Sequence, residues 1–273
     1  MSAVRRRDLV DQIMGEYRIS ERRACRVVNL SRSLRNYQPR PPHDEALIRV
    51  LKQLADQHPR WGFHKMCAWL RNQGHLWNHK RVYRVYCAMQ LNLRISKRKR
   101  LPKRFPEPLA EPGAMNVCWS MDFMSDALLN GRRIRTFNII DDFNREALAI
   151  EVDTSLPARR VIRILDQLTD WRGYPQRIRV DNGPEFISSA LALWAETNRV
   201  TLDFIRPGRP DQNAYIERFN RTYREEVLDT YLFRTLQEVN AITKNWIVSY
   251  NHDRPHDALG GMTPIAYRQA QTL

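Results

Sequence analysis

Apolar residues recur with a helical period in the first third of the chain. Residues 20–37 predict two short helices separated by residues 29–31, with Ser20 and Ser31 as their caps. Arginines on the outer face of this pair fit helix-turn-helix geometry. The apolar stripe of the first helix consists of Ala24, Val27 and Val28. Three further helices are predicted downstream. Their stripes are Leu47, Val50, Leu51 and Leu54 in the first of them, Met66, Trp69 and Leu70 in the second, and Val82, Val85, Tyr86 and Met89 in the third.

The pattern changes near residue 114. Short runs rich in β-branched and aromatic residues predict strands, and longer amphipathic runs predict helices. The predicted strands are residues 117–124, 135–140, 147–152, 177–180 and 202–205, and the predicted helices are residues 156–171, 184–198, 212–228 and 236–250. Three strands followed by alternating helices and strands indicate a mixed α/β sheet.

Charge separates the same two parts of the chain. The 273 residues are 42% hydrophobic, enough to bury a core, which excludes wholesale disorder. A net charge of +15 indicates an anionic partner, of which nucleic acid is the commonest. Residues 1–105 carry 25 basic and 7 acidic residues, or +18, whereas the remaining residues carry 20 and 23, or −3. We therefore expect a basic module that binds an anion and a second domain with a different function.

A basic run and spaced prolines lie between the two parts. Residues 94–104 contain seven basic residues in eleven, and Pro106, Pro108 and Pro112 follow. This pattern predicts an extended linker, although a solvated loop whose charge only aids solubility would have the same composition. The predicted organisation is an N-terminal helical segment (1–42), a helix-turn-helix-like DNA-binding domain (43–93), a basic linker (94–113) and an α/β domain with a C-terminal helix and tail (114–273).

The last predicted helix of the basic part is the candidate recognition helix, because Lys80, Arg81 and Arg84 lie on its outer face. A plain three-helix bundle with a basic surface fits the periodicity equally well. The linker adds the candidate DNA contacts Lys97, Arg98, Lys99 and Arg100. We expect DNA affinity to depend steeply on salt and to reside in residues 1–105.

Other classes of protein are disfavoured. Four scattered cysteines suggest neither a disulfide framework nor a zinc knuckle, and reduced thiols are expected. The clustered histidines His58, His64, His75 and His79 lack the cysteine pair that would complete a Cys₂His₂ zinc site. No apolar run approaches the roughly 20 residues of a membrane helix, so we expect a soluble cytoplasmic protein without a membrane partner.

Three carboxylates occupy distinctive positions in the second part. Asp122 lies inside a predicted strand, where a carboxylate costs free energy unless it is paired, hydrogen-bonded or metal-bound. Asp181 ends a short strand at a DNG turn, and Glu217 lies in a predicted helix. Together they would form a set of hard oxygen ligands that suits Mg²⁺.

Each of these residues also has a simpler interpretation. A DNG sequence is an ordinary turn signal, and Glu217 could pair with Arg221 one helical turn away. Other carboxylates compete for the same role, namely Asp126, Asp141, Asp142, Glu185 and Asp211.

The spacing of the three carboxylates resembles a known signature. Asp181 and Glu217 are separated by 35 residues, as in the D-D-35-E motif of retroviral-type integrases and related transposases. The surrounding sequences WSMDF, DNGPEF and PGRPDQNAYIERFNRTYREEVLD are similar to the integrase-core blocks of insertion-element transposases. The closing YNHDRPHDALGGMTPIAY and the upstream RWGFHKMCAWLRNQGHLWNHKRVYRVYCAMQL resemble the same family, so the likeness covers nearly the whole chain.

The resemblance to second-reading-frame transposases of bacterial insertion sequences implies an RNase H-like integrase core: a mixed five-stranded sheet with flanking helices, preceded by an all-α helix-turn-helix-like domain. It implies two divalent metals, Mg²⁺ with Mn²⁺ as a substitute, held by Asp122, Asp181 and Glu217. Arg224 matches the family's basic residue seven positions beyond Glu217, and Arg218 and Arg221 on the same helix are further candidate DNA contacts. The implied partners are the DNA of the element ends and target, other copies of the chain, and an upstream-frame protein or a fusion with it.

The implied activity is DNA transposition by metal-dependent strand cleavage and strand transfer. Two alternative functions remain open. One is a DNA-binding regulator with an inactive core, and the other is an RNase H-type nuclease without transfer activity.

Overall fold

The computed structural model describes residues 2–37, 43–94, 109, 111–206 and 210–271, without the side chains of residues 210 and 211. The chain divides into two compact units, residues 1–46 and 47–273. Lys97, Arg98, Lys99, Arg100 and most of the predicted linker lie outside the described residues, as does the side chain of Asp211. The predicted domain boundaries remain predictions.

The first unit contains helices α1 (Ala3–Tyr17), α2 (Glu21–Val27) and α3 (Arg32–Arg35). Both predicted short helices are confirmed, and the Ser31 hydroxyl caps the second by accepting a hydrogen bond from the Leu34 N–H. Ser20 precedes the first, but its side chain makes no capping hydrogen bond. One part of the predicted apolar stripe is wrong. Val27 is 67% exposed, whereas Ala24 and Cys25 are buried in the small core. A seven-residue helix that packs on α1 has room to bury only one narrow face.

Helices α4 (Glu45–Gln57), α5 (Phe63–Asn72) and α6 (His79–Ala88) form a three-helix domain. Their predicted apolar stripes form its core. The clustered histidines pack against aromatic rings. His58 stacks on Trp61 with ring centroids 3.9 Å apart, and His75 stacks on Trp77 at 4.4 Å.

The second unit also contains one sheet of five strands. The strands are β1 (Cys118–Ala127), β2 (Arg133–Asp141), β3 (Ala147–Asp153), β4 (Arg177–Val180) and β5 (Thr201–Phe204), in the spatial order β3-β2-β1-β4-β5. The β1–β2 and β2–β3 pairs are antiparallel, and the β1–β4 and β4–β5 pairs are parallel. The predicted mixed sheet is confirmed.

Helices cover both faces of this sheet. Helices α7 (Ala158–Arg172) and α8 (Ser189–Thr197) share one hydrophobic core with the sheet, and helices α9 (Ala214–Tyr223) and α10 (Leu236–His252) share the other. Helix α11 (Pro264–Gln271) follows. Among the described residues, none of the helices is both long enough and apolar enough to cross a bilayer.

Two predicted helices differ from the structure at their ends. The helix expected over residues 184–198 begins only at Ser189, because the Ser188 hydroxyl accepts a hydrogen bond from the Leu191 N–H and caps it there. The helix expected over residues 212–228 is divided. A 3₁₀ turn at Pro210–Asn213 precedes α9, and a π-helical turn at Arg224–Leu228 follows it.

Candidate active site

Asp122 lies on the polar side of strand β1. Side chains alternate along a strand, so Trp119 and Met121 enter the core beneath α7 and α8, whereas Ser120 and Asp122 face α9. The opposing residue on β2 is Asn138, which is fully buried on the same side. The side of the sheet that meets α9 is therefore lined by polar groups near its centre.

Asp181 is brought level with Asp122 by the strand register. Strands β1 and β4 are parallel neighbours, and Ser120 pairs with Arg179. Two residues further along each chain are Asp122 and Asp181, which the register places side by side. Ligand sites in such sheets form where parallel strands end.

The turn after β4 holds the Asp181 carboxylate close to the backbone. The Gly183 N–H donates to Oδ1 of Asp181 over 2.9 Å. A Cβ added at Gly183 would lie 2.9 Å from that same oxygen, closer than side chains approach one another. A larger residue here would force this carboxylate to shift, so glycine leaves room for the Asp181 side chain.

Helix α9 carries Glu217 in its first turn, with an exposed side chain, and Asn220 on its buried side. The Asn220 Nδ2 donates to Oδ2 of Asp122 over 2.7 Å, and the Asn138 Nδ2 donates to Oδ1 of Asn220 over 2.6 Å. The Phe123 N–H donates to Oδ1 of Asp122 over 2.8 Å. These contacts attach the helix that carries Glu217 to the strand that carries Asp122.

The two asparagines were not among the predicted site residues. Asn138 interrupts an apolar strand between two buried neighbours, Phe137 and Ile139, and Asn220 falls on the apolar face of α9. A polar residue at a position that periodicity assigns to the core is the signal by which both could have been found.

Electrostatics shows that the three carboxylates share one neighbourhood. The pKa of Asp122 is raised to about 6, mainly by burial and also by the negative charges of Asp181 and Glu217, against the opposing effect of the hydrogen bonds from the Phe123 N–H and Asn220. Among the described residues, no group of three His, Cys, Asp or Glu side chains is arranged closely enough to hold a metal ion. The donor set nevertheless fits a divalent cation, because it offers hard oxygen ligands whose mutual repulsion a positive ion would relieve.

The competing carboxylates that the structure describes are each paired with an arginine. In contrast, Asp122 and Asp181 receive their hydrogen bonds from neutral N–H groups, which leaves their charge available to a cation. The arginine pairs are Asp126 with Arg224, Asp141 with Arg172, Asp142 with Arg179, and Glu185 with Arg135.

The candidate DNA contacts fall into different surroundings. Lys80 and Arg84 are exposed on α6, and Arg81 is half-buried beside them. Arg218 and Arg221 are exposed on α9. Arg224 follows α9 and donates to Asp126 over 3.2 Å and to the Ser125 carbonyl over 2.9 Å, which holds it at the C-terminal end of β1.

Known families match most of the chain. A model described as an integrase core domain matches residues 112–210, and a second model of the same description matches residues 198–264. A model described as an HTH-like domain matches residues 42–100. Together with the mixed five-stranded sheet and its flanking helices, these matches confirm the predicted RNase H-like fold preceded by a helix-turn-helix-like domain.

Two bacterial relatives extend over nearly the whole sequence. The insertion element IS407 uncharacterized 31.7 kDa protein of Burkholderia multivorans is 43% identical over 93% of this chain and 92% of its own length. The insertion element IS476 uncharacterized 39.2 kDa protein of Xanthomonas euvesicatoria is 38% identical over 96% of this chain and 76% of its own length. A solved structure of the HTLV-2 integrase catalytic core domain in complex with magnesium is 16% identical, with a TM-score of 0.45, over 56% of this chain and 96% of that one.

Proposed function

This chain belongs to the bacterial insertion-sequence transposases with an integrase-type core, and we propose that it cleaves the ends of a DNA element and joins them to a target. In the first step, a water oxygen attacks a phosphodiester at the element end, and the bond between phosphorus and the 3′ oxygen breaks to free a 3′-OH. In the second step, that 3′-OH attacks a target phosphodiester. A new phosphodiester forms, and the target's own 3′ oxygen leaves.

The observation that carries this proposal is the arrangement of Asp122, Asp181 and Glu217. Strand register sets the two aspartates level on neighbouring strands, and the charges of Asp181 and Glu217 act on Asp122. We propose that these three carboxylates hold two divalent cations. When bound, Mg²⁺ or Mn²⁺ would supply a Lewis acid that favours the nucleophilic form of the attacking oxygen and offsets charge on the leaving oxygen.

The surrounding residues orient the carboxylates. Asn220 and the Phe123 N–H each bind one oxygen of Asp122, which restricts rotation of that carboxylate. The Gly183 N–H does the same for Asp181. Preorganised ligands of this kind raise the rate because little rearrangement is needed when the substrate arrives.

Affinity for DNA would come largely from the basic N-terminal part of the chain. Residues 1–105 carry a net charge of +18, whereas the rest of the chain carries −3. We propose that Lys80, Arg81 and Arg84 on α6 contact the DNA, together with Lys97, Arg98, Lys99 and Arg100. The remaining partners that we propose are further copies of this chain on the DNA and the product of an upstream reading frame, all acting on the bacterial chromosome in the cytoplasm.

A strand-transfer assay tests the proposal. The substrate is a labelled duplex that ends in the inverted repeat flanking the reading frame, and the matched control has the same composition with the repeat scrambled. With Mg²⁺ and a supercoiled target, we expect joined products from the true end alone and none in EDTA. Cleavage without joining would instead indicate a nuclease, and binding without cleavage would indicate a regulator.

A further inference from the structure

A cavity of about 720 Å³ within residues 47–273 has no role in the carboxylate chemistry described above. Its walls come from the three-helix domain, from helix α9 and from residues 250–258, which belong to the closing block of the sequence. The cationic side chains that line it are Arg60, Lys65, Arg145, Arg218, Arg221 and Arg254. Four acidic side chains also line it, namely Glu111, Glu225, Glu226 and Asp257.

Two of the four acidic side chains would compete little for the cations of the lining, because one is already paired and the other is exposed to solvent. Glu226 forms an ion pair with Arg254 and also accepts a hydrogen bond from the Trp246 indole over 2.9 Å. Glu111 approaches Arg145 at 3.5 Å, but its side chain is 76% exposed, so solvent weakens the pair. With six cations against four acids, the lining retains an excess of positive charge.

Two buried nitrogens that belong to residues of this lining have no hydrogen-bond partner among the described residues. They are Nη1 of Arg145 and Nε2 of His256. The Arg145 side chain is held in place, because its guanidinium lies over the Tyr215 ring at 3.5 Å and only 12% of the side chain is exposed. A buried donor without an acceptor costs free energy, and Nη1 of Arg145 is such a donor because a guanidinium nitrogen can only donate.

Burial and a neighbouring cation disfavour the charged form of two bases in the lining. The pKa of Lys65 falls to about 8, chiefly through burial and then through the charge of Arg254, against the opposing charge of Glu226. The pKa of His256 falls to about 3, chiefly through burial and then through the charges of Arg254 and Lys65. The effect of Arg254 on both groups places its positive charge close to both of them.

We propose that this cavity binds a phosphate group, and specifically a backbone phosphate of the DNA. Arginine offers the planar, multiply donating group that phosphate recognition favours. The volume exceeds what one free phosphate needs and leaves space for the sugars on either side. The phosphate chemistry stands independently of the proposed function, whereas the DNA source rests on it.

The proposed site also gives a role to the closing RPH sequence. Arg254, Pro255 and His256 all line the cavity, as do Arg60 and Lys65 from the three-helix domain. DNA held in this cavity would therefore meet side chains of the three-helix domain, of helix α9 and of the C-terminal block.

Two charge-removing variants test the site. Arg145→Met removes the stacked guanidinium. Lys65→Met, on α5, replaces a cation by an uncharged side chain of nearly the same shape and serves as the second variant in case the first does not fold. The matched controls are Arg159→Met, an exposed residue on α7 across the sheet, and Lys52→Met, an exposed residue on α4. Circular dichroism melting of each protein checks that it is folded.

Two measurements distinguish the source of the phosphate. Inorganic phosphate alone is titrated calorimetrically into the full chain, and we expect one saturable site that each cavity variant weakens at least tenfold. Duplex DNA binding is measured in EDTA as a function of salt, and we expect the slope of log K against log salt to fall by about 0.9 in each cavity variant and to stay unchanged in the controls. Because EDTA removes the divalent metal, a failed strand-transfer assay would not affect either measurement.

Each result of the two measurements supports or overturns a stated part of the proposal. A reduced slope supports a DNA phosphate, with or without measurable binding of the free ion. Loss of inorganic phosphate binding at an unchanged slope keeps the phosphate site but overturns its DNA source in favour of a small phosphate-bearing molecule. Cavity variants that match their controls in both measurements overturn the proposal.

Discussion

Asn220 on helix α9 donates from Nδ2 to Oδ2 of Asp122 on strand β1 over 2.7 Å, although the two residues are 98 positions apart in the sequence. The same amide accepts a hydrogen bond from Asn138 on the neighbouring strand. A buried chain of hydrogen bonds therefore fixes the position of α9 on the sheet. Since Glu217 lies less than one turn before Asn220, this chain also positions the third carboxylate.

Asn220→Ala is expected to destabilise the protein by about 1–3 kcal/mol, because it leaves the buried Asn138 amide without its acceptor. We expect strand transfer to fall as well, since Asp122 loses a hydrogen bond that orients it. Urea unfolding measures the first effect. Gln237→Ala, an exposed position on α10, is the control and should change the free energy of unfolding by less than about 0.5 kcal/mol. Equal effects of the two changes would contradict the role given to Asn220.

Asp122→Asn, Asp181→Asn and Glu217→Gln should each lower strand transfer at least about a hundredfold, because each removes a charged ligand from the proposed metal site. DNA binding in EDTA should remain near that of the parent protein, since these residues do not contribute to the basic surface. Glu185→Gln is the comparison, because Glu185 pairs with Arg135 rather than facing a cation. Full metal-dependent activity in any one of the first three variants would contradict the assignment of these carboxylates as metal ligands.

Gly183→Ala should lower strand transfer by about tenfold to a hundredfold with little loss of stability. The new Cβ would lie 2.9 Å from Oδ1 of Asp181, so the carboxylate must rotate away and give up its backbone hydrogen bond. Gly113→Ala is the matched control, because a Cβ there meets nothing within 4 Å. An active Gly183→Ala protein would show that the carboxylate does not need this position.

The protein should become less stable as the pH falls, partly because His256 is protonated more readily in the unfolded chain. Burial lowers its pKa to about 3 in the folded state, against an ordinary value of 6.5, so the unfolded chain binds the proton more readily as the pH falls. The resulting loss begins near pH 6.5 and reaches about 2 kcal/mol at pH 5. Urea unfolding of the parent and of His256→Gln in phosphate-free buffer at pH 7 and pH 5 measures this. The parent should lose more stability than the variant, and parallel losses would be inconsistent with a neutral buried imidazole.

Replacing Lys80 and Arg84 by glutamine should weaken duplex binding by similar factors on all DNA sequences if both residues contact phosphate. The slope of log K against log salt should then fall by about 0.9 for each lost contact. Lys52→Gln on α4 serves as the control for a change of charge alone. A change confined to one base position in the element end would instead indicate direct readout of sequence by α6.

Most secondary structure was predictable because it depends on short-range periodicity. The apolar stripes of α4 to α6 and the runs rich in β-branched and aromatic residues of β1 to β3 form helices and strands where the pattern of side chains predicts them. No helix was predicted over the residues of α1 or α11, and the remaining differences in extent lie at element ends, where single interactions decide. The Ser188 cap delays the start of α8, and the π-helical turn after Tyr223 divides the helix predicted over residues 212–228.

The chain's sequence alone determined the family likeness, the charge division and the three carboxylates, since spacing and composition are properties of the chain itself. The tertiary structure decided which carboxylates are already paired with arginines, and it brought Asn138 and Asn220 to Asp122. It also assembled the cationic cavity from residues as far apart as Arg60 and His256. Contacts of this kind depend on how the helices pack on the sheet. A local pattern of residues does not show which distant residues this packing brings together.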